Sequence, residues 1–241
     1  MHRIGLIIPS GNQCTEPQFH RYAPPDVAIH VTRLRISRPC GELIPLLEQL
    51  PEILQGAQLL ADARCDLIVY HCTGSSMEAG LAAERQVVQA IEQATGLPAT
   101  TTASAVLAAL RALNVRRLVM VSPYPQRIND DEKAFLEEAG VSVLRERALN
   151  LPPREWAVTP PGFWVSALEE NVDTTADLYF MSCTNILSID AVEAAEAKLG
   201  RPALSSNQAT LWHCLRLLGR DDAVPGLGRL FSLAPAPAGT A

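Results

Sequence analysis

Apolar positions cluster into four short runs, at residues 4–9, 66–72, 117–122 and 177–183. Each has the length of one strand and is apolar at nearly every position, as expected of a parallel strand covered on both faces. A fifth run, 27–34, alternates and is expected nearer a sheet edge. Between the runs the period becomes helical. Residues 42–63 bring Leu43, Leu46, Leu47, Leu50, Leu54 and Leu60 to one side, with Pro45 and Pro51 breaking up the start. Further helices are predicted at 78–95, 104–113, 129–139, 189–199 and 207–218. Alternating strand and helix predicts an α/β fold with parallel sheets. The Pro-rich stretch 151–162, leading into Phe163-Trp164, reads as an extended loop: a lid over a cleft, a passive connection or an oligomer contact. The tail 234–241, rich in Ala, Pro and Gly, is expected to fray.

The chain also repeats itself. Asp66-Leu67-Ile68-Val69-Tyr70-His71-Cys72-Thr73 parallels Asp177-Leu178-Tyr179-Phe180-Met181-Ser182-Cys183-Thr184. A second echo follows each copy. Gly96-Leu97-Pro98-Ala99 with Thr102, Ala105 and Leu107 matches Gly200-Arg201-Pro202-Ala203 with Ser206, Ala209 and Leu211. Two similar α/β halves result, each ending a strand in Cys-Thr. The expected division is 1–112 plus 208–241 against 113–207. Ligands of open α/β sheets sit outside the carboxyl ends of the strands. If the halves face each other about a pseudo-two-fold axis, Cys72 and Cys183 meet across one cleft.

Composition narrows the function. A chain of 241 residues, 48% hydrophobic, has enough apolar content to exclude intrinsic disorder. A net charge of -6 argues against nucleic acid as the main partner. No apolar run approaches the roughly 18–20 residues of a membrane span, and the first residues enter a strand pattern without a signal-peptide layout. A cytoplasmic protein is expected. The six cysteines, at 14, 40, 65, 72, 183 and 214, are scattered singly, without zinc-site spacing, and are expected to be free thiols.

Two facing thiols can divide the work at one carbon: one adds to it or removes its proton, and the other delivers a proton from the far side. Such a site needs no metal and no cofactor, only donors for a carboxylate or an enediolate. Those donors follow each cysteine, as Thr73, Gly74, Ser75 and Ser76 in one case and Thr184 and Asn185 in the other.

These motifs resemble the maleate cis-trans isomerase and arylmalonate decarboxylase branch of the aspartate/glutamate racemase superfamily. Its carriers are Ile4-Gly5-Leu6-Ile7-Ile8-Pro9-Ser10-Gly11-Asn12 with Glu16, Cys72-Thr73, Ser122-Pro123-Tyr124, Ser182-Cys183-Thr184-Asn185 and Ser205-Ser206-Asn207-Gln208-Ala209-Thr210-Leu211-Trp212. The resemblance spans residues 3–219 and implies two pseudo-symmetric Rossmann-like or flavodoxin-like domains, an active site between them, and a homodimer. It assigns Cys72 as the nucleophile that adds to a double bond and Cys183 as the proton carrier. Asn12 and Tyr124 would hold carboxylate or enolate oxygens. Decarboxylases of this branch carry Gly at the first cysteine position, so Cys72 favours isomerisation of a small dicarboxylate, maleate first. Gln13-Cys14 departs from the hydroxyl residues common in isomerases after the Asn.

Three competing readings stand beside it: a racemase for an acidic amino acid or hydantoin-like substrate, an arylmalonate-type decarboxylase, and a small-carboxylate binding module without catalysis. His71, next to Cys72 in an extended strand, is expected to face away from it. His213 is expected to serve helix packing, and Ser205, Ser206 and Asn207 a helix N-cap. Cys14 is expected to line the pocket without a catalytic role, and Cys40, Cys65 and Cys214 to be structural.

Overall fold

The computed structural model describes residues 1–37 and 43–233. Elements in the first half are β1 (His2–Pro9), α1 (Thr15–Tyr22), β2 (Val27–Leu34), α2 (Leu50–Asp62), β3 (Leu67–Tyr70), α3 (Thr73–Met77), α4 (Gly80–Thr95), β4 (Ala99–Thr101) and α5 (Thr102–Ala112). The second half continues with β5 (Arg117–Ser122), α6 (Gln126–Glu138), β6 (Ser142–Ala148), α7 (Pro153–Trp156), α8 (Pro161–Glu169), β7 (Leu178–Met181), α9 (Val192–Leu199, after a 3-10 turn at Ile189–Ala191), β8 (Ala203–Ser205), α10 (Ser206–Leu217) and α11 (Gly228–Phe231).

The repeat in the sequence is a repeat in the sheets. All strands are parallel, in the orders β2-β1-β3-β4 and β6-β5-β7-β8. Register repeats as well: Ile4 pairs with Leu67 as Leu118 pairs with Leu178, and Ile68 with Ala99 as Tyr179 with Ala203. Asp66 and Asp177 close the same turn, each accepting backbone N–H groups at the start of the neighbouring strand (Arg3; Arg116 and Arg117). Gly96 and Gly200 end α4 and α9 at φ 70° and 68°, left-handed caps that glycine adopts without steric cost.

The nearly continuous apolar runs are explained by their two buried faces. Ile4, Leu6 and Ile8 of β1 point with Leu67, Val69, Leu118, Met120, Leu178 and Phe180 into one core shared by both halves. The alternate residues turn outward, Ile7, Ile68 and Tyr70 into the first half's outer core and Val119, Val121, Tyr179 and Met181 into the second's. Helices α5 and α10 lie between the sheets, with Ala103, Val106, Ala109 and Leu110 packed in the same cluster as Ala209, Leu211 and Leu215. Thr101 and Ser205, the last residues of β4 and β8, cap these helices through their hydroxyls.

Several expectations change. The helix predicted at 42–63 begins only at Leu50, with Pro51 in its first turn, where a missing N–H costs nothing. The stretch read as an extended loop at 151–162 is partly helical: Pro153 and Pro161 each open a helix for the same reason. The three-residue strands β4 and β8, the charged strand β6 and the helices α1 and α3 have too few or too polar residues for their periodicity to mark them. Cys40 and residues 234–241 lie outside the described residues.

Candidate active site

Both sheet orders reverse their winding between the two central strands, β1/β3 and β5/β7, and such a switch point leaves a crevice at the carboxyl ends. Out of these four strand ends come Asn12, Cys72-Thr73, Tyr124 and Cys183-Thr184-Asn185. Hydrogen bonds lace them across the halves. Asn12 Nδ2 donates to the carbonyl and hydroxyl oxygens of Thr184, at 3.3 and 3.2 Å, while its Oδ1 accepts the N–H groups of Cys14 and Thr15 that open α1. The Gln13 N–H donates to Asn185 Oδ1 at 2.7 Å. Thr73 Oγ1 donates to Ser206 Oγ at 2.9 Å, and the same Ser206 oxygen accepts the Cys183 N–H at 3.2 Å.

The thiols are buried together, Cys72 at 6% and Cys183 at 2% exposure. Cys183 Sγ accepts the Asn185 N–H at 3.3 Å; the Tyr124 hydroxyl also favours the anion on Cys183, and the Ser75 N–H favours it on Cys72. Negative charge on Cys72 raises the pKa of Cys183, so the two sulfurs belong to one crevice. Cys183 holds φ at 147°, a conformation side-chain-bearing residues rarely adopt and one costing about 1–3 kcal/mol. Strain of that kind sits beside the second buried thiol.

The mechanism suggested by the sequence asks for thiols with lowered pKa, and the closed cleft does the reverse. Burial pushes the Cys72 thiol up to about 12 and pushes Cys183 up as well. Desolvation outweighs the donors on both sulfurs, so both rest as thiols. Cys14 and Cys65 are also raised, both to about 11, which agrees with packing roles.

The remaining predicted residues divide. Tyr124 reaches the thiols and is covered by Trp156 of α7, edge-on at 5.3 Å. Gly74 in α3 faces α6: a Cβ there would stand 3.1 Å from Ile128 Cγ2, 3.8 Å from Tyr124 Cζ and 3.9 Å from Glu132 Oε1. At this close approach of the halves any side chain would be crowded against Ile128. Ser75 Oγ is 2.7 Å from the Tyr70 hydroxyl and accepts from Gln49 Nε2 at 2.9 Å, so this predicted binding hydroxyl serves the interior of the first half.

Two buried polar groups complete the site. His71 faces away from Cys72, into the shared core. Its Nε2 lies 2.9 Å from Asn207 Oδ1, and its Nδ1 2.9 Å from Thr102 Oγ1. Asn207 Nδ2 donates to Gln18 and to the Thr184 carbonyl, so Asn207 Oδ1 is an acceptor and His71 carries its proton on Nε2. Burial lowers the His71 pKa to about 4. Glu132 of α6, fully buried, accepts from Ser182 Oγ at 2.6 Å through Oε2, and burial pushes its carboxyl up to about 8. Sequence reasoning passed over Glu132, although an acid in the apolar stripe of α6, with Ile128, Phe135 and Leu136, is a visible signal.

An open groove of about 620 Å³ lies elsewhere, between β2 and α2, walled by Thr32, Arg33, Gln55 and Leu59. It holds neither thiol nor any of their donors. The closed crevice concentrates the nucleophiles and donors and is the candidate site.

The family model for arylmalonate decarboxylase matches residues 46–231. The maleate isomerase of Nocardia farcinica is 30% identical over 243 residues, 95% of each chain. The arylmalonate decarboxylase of Bordetella bronchiseptica is 36% identical over 165 residues, 66% of this chain and 68% of that one. Among solved structures, a mutant of the Nocardia farcinica maleate cis-trans isomerase with a covalently bound succinylcysteine intermediate superimposes with a TM-score of 0.87 at 27% identity, covering 97% of this chain and 99% of the other. Two matched parallel sheets, with paired cysteines at their switch points, and these likenesses place the chain in the arylmalonate decarboxylase and maleate isomerase family.

Proposed function

We propose that this protein is a cofactor-independent isomerase that converts maleate to fumarate through a covalent adduct on Cys72. The observation that carries the reading is the convergence of Cys72 and Cys183, from equivalent strand ends, in one buried crevice with Tyr124. The succinylcysteine of the Nocardia farcinica relative supports an adduct of this kind. Cys72 as thiolate adds to one alkene carbon, forming a C–S bond. The electron pair moves into an enediolate on the neighbouring carbon, which takes the Cys183 proton. The former double bond is now single and rotates. Cys183 as thiolate then removes a proton from that carbon, the C–S bond breaks, and fumarate leaves with both sulfurs restored. The Cys72 proton leaves to solvent before the cleft closes on the substrate; the Ser75 N–H then favours the anion on Cys72, as Tyr124 and the Asn185 N–H favour it on Cys183. Asn12, Thr73, Gly74, Ser75, Thr184 and Asn185 form the surrounding wall, holding carboxylate oxygens directly or fixing those that do.

The family-model match favours decarboxylation of an arylmalonate as the second reading. Cys72 stands against it. Proton NMR in D2O, with maleate and phenylmalonate in separate tubes, separates the two. Loss of the maleate signal with growth of fumarate, absent in Cys72→Ala, is the expected result; phenylacetate without fumarate sinks the isomerase reading. A homodimer in the cytoplasm, and a division into 1–112 plus 208–241 against 113–207, belong to the same proposal. Light scattering tests the first and limited proteolysis the division. Among the described residues no helix is long and apolar enough to cross a membrane.

A further inference from the structure

The cleft proposed to take a dianion contains no buried lysine or arginine among the described residues. Arg33, the cation beside the loop after β1, is engaged by the carbonyls of Ser10 and Asn12 and by Glu16. Carboxylate recognition therefore falls to neutral donors, and one such group has no protein partner. Glu132 Oε1 is buried without a hydrogen bond, while Oε2 is fixed by Ser182, the residue before Cys183. Oε1 lies on the side of Gly74 and Tyr124, 3.9 Å from where a Gly74 Cβ would stand. Cys72, Cys183 and Tyr124 each feel the charge of this carboxylate, which places it among the reacting groups.

We infer that Glu132 is a substrate-binding residue whose protonated carboxyl, anchored through Oε2 on Ser182, donates from Oε1 to a carboxylate oxygen of the substrate beside Gly74. The inference rests on the reading that the cleft takes a small carboxylate. Chemistry requires the acid to be neutral, because an ionised Glu132 would repel a dianion and oppose thiolate formation at both cysteines. Its surroundings keep it neutral. It is desolvated, and the charges that reach it, Asp131 on its own helix and Glu146 on β6, are both acidic. Methylene packing alone would not account for an acid at this position, since Ile128, Phe135 and Leu136 fill the rest of the same helix face with apolar groups.

The test compares wild type, Glu132→Ala and Glu132→Gln by steady-state kinetics on maleate and by infrared difference spectra on adding succinate, a saturated dicarboxylate. A donor lost from ground state and transition state alike raises KM, here at least about tenfold in the alanine variant with kcat within about threefold. Glutamine keeps an N–H donor toward Gly74 while its carbonyl accepts from Ser182, and its KM is expected within about threefold of wild type. In the spectra, a carboxylic-acid band present in wild type and missing in Glu132→Gln shifts when succinate binds. An unchanged KM in the alanine variant, or a carboxyl band that succinate leaves in place, overturns the inference. If the alanine variant does not fold, the glutamine kinetics and the infrared band decide. Should wild type leave maleate untouched, the proposed function fails on its own, while the succinate-induced shift still tests Glu132.

Discussion

Replacing His71 by leucine should destabilise the protein by an amount that shrinks as the solution is acidified. At neutral pH the buried imidazole donates to Asn207 and accepts from Thr102. Leucine orphans Asn207 Oδ1 and the Thr102 hydroxyl, at about 1–3 kcal/mol for each group, so the variant is expected to lose about 2–6 kcal/mol. The pH dependence has a definite sign. Above 6.5 both folded and unfolded forms carry neutral His71, and its contribution is fully present. Below 6.5 the unfolded chain takes up a proton that the folded chain refuses until about pH 4, so stability falls as pH falls through that window. The fall from 6.5 to about 4 corresponds to about 3 kcal/mol. Leucine does not titrate, so the gap between wild type and variant should narrow by about that amount across the window. Urea unfolding followed by circular dichroism at a series of pH values measures it. His213, also held near 4, and Glu132 act alike in both proteins and cancel in the difference. A gap constant to within about 0.5 kcal/mol from neutral pH down to pH 4 would refute a neutral, doubly hydrogen-bonded His71.

Other consequences follow from the same geometry. Glu132 has the opposite sign: its proton is held up to about pH 8 in the fold but released near 4.5 in the unfolded chain, so it subtracts stability as pH rises between these values. Glu132→Gln should flatten that part of the profile in thermal melts; an unaltered slope would show the group to be ionised. With the Cys72 thiol near 12, iodoacetamide should label Cys72 at least about a hundredfold more slowly in the folded protein than in urea, as read by peptide mass spectrometry. Fast labelling would mean an open cleft. Gly74→Ala drives a methyl against Ile128 and is expected to cost about 1–3 kcal/mol in denaturant unfolding, with lower activity; wild-type stability would disprove the close approach of α3 and α6. Tyr124→Phe removes the donor to Cys183 and should lower kcat by about tenfold or more, with the fold intact by circular dichroism.

The legible parts of the chain were those with a strong physical signature. Strands buried on both faces must be apolar throughout, so β1, β3, β5 and β7 could be read directly, and their carboxyl ends located Cys72 and Cys183. The Cys-Thr repeat then pointed to paired halves, which the matched sheet orders bear out. Strands of three residues, such as β4 and β8, carry too short a pattern to be seen. Side-chain direction was only partly legible. Strand alternation correctly turned His71 away from Cys72, but no local rule tied Ser75 to Tyr70 and Gln49, or brought Glu132 under Gly74. Those contacts depend on how helices from different parts of the chain meet. The thiol pKa values were hidden for the same reason, since desolvation is a property of the assembled cleft.

Mass spectrometry of the Cys183→Ser variant after incubation with maleate tests the central claim most directly. Serine cannot take the proton back, so an adduct whose enediolate has been protonated by water should persist, adding one maleic acid to the peptide that contains Cys72 and to no other. An unmodified Cys72, in a preparation whose wild type makes fumarate, would contradict nucleophilic addition by Cys72.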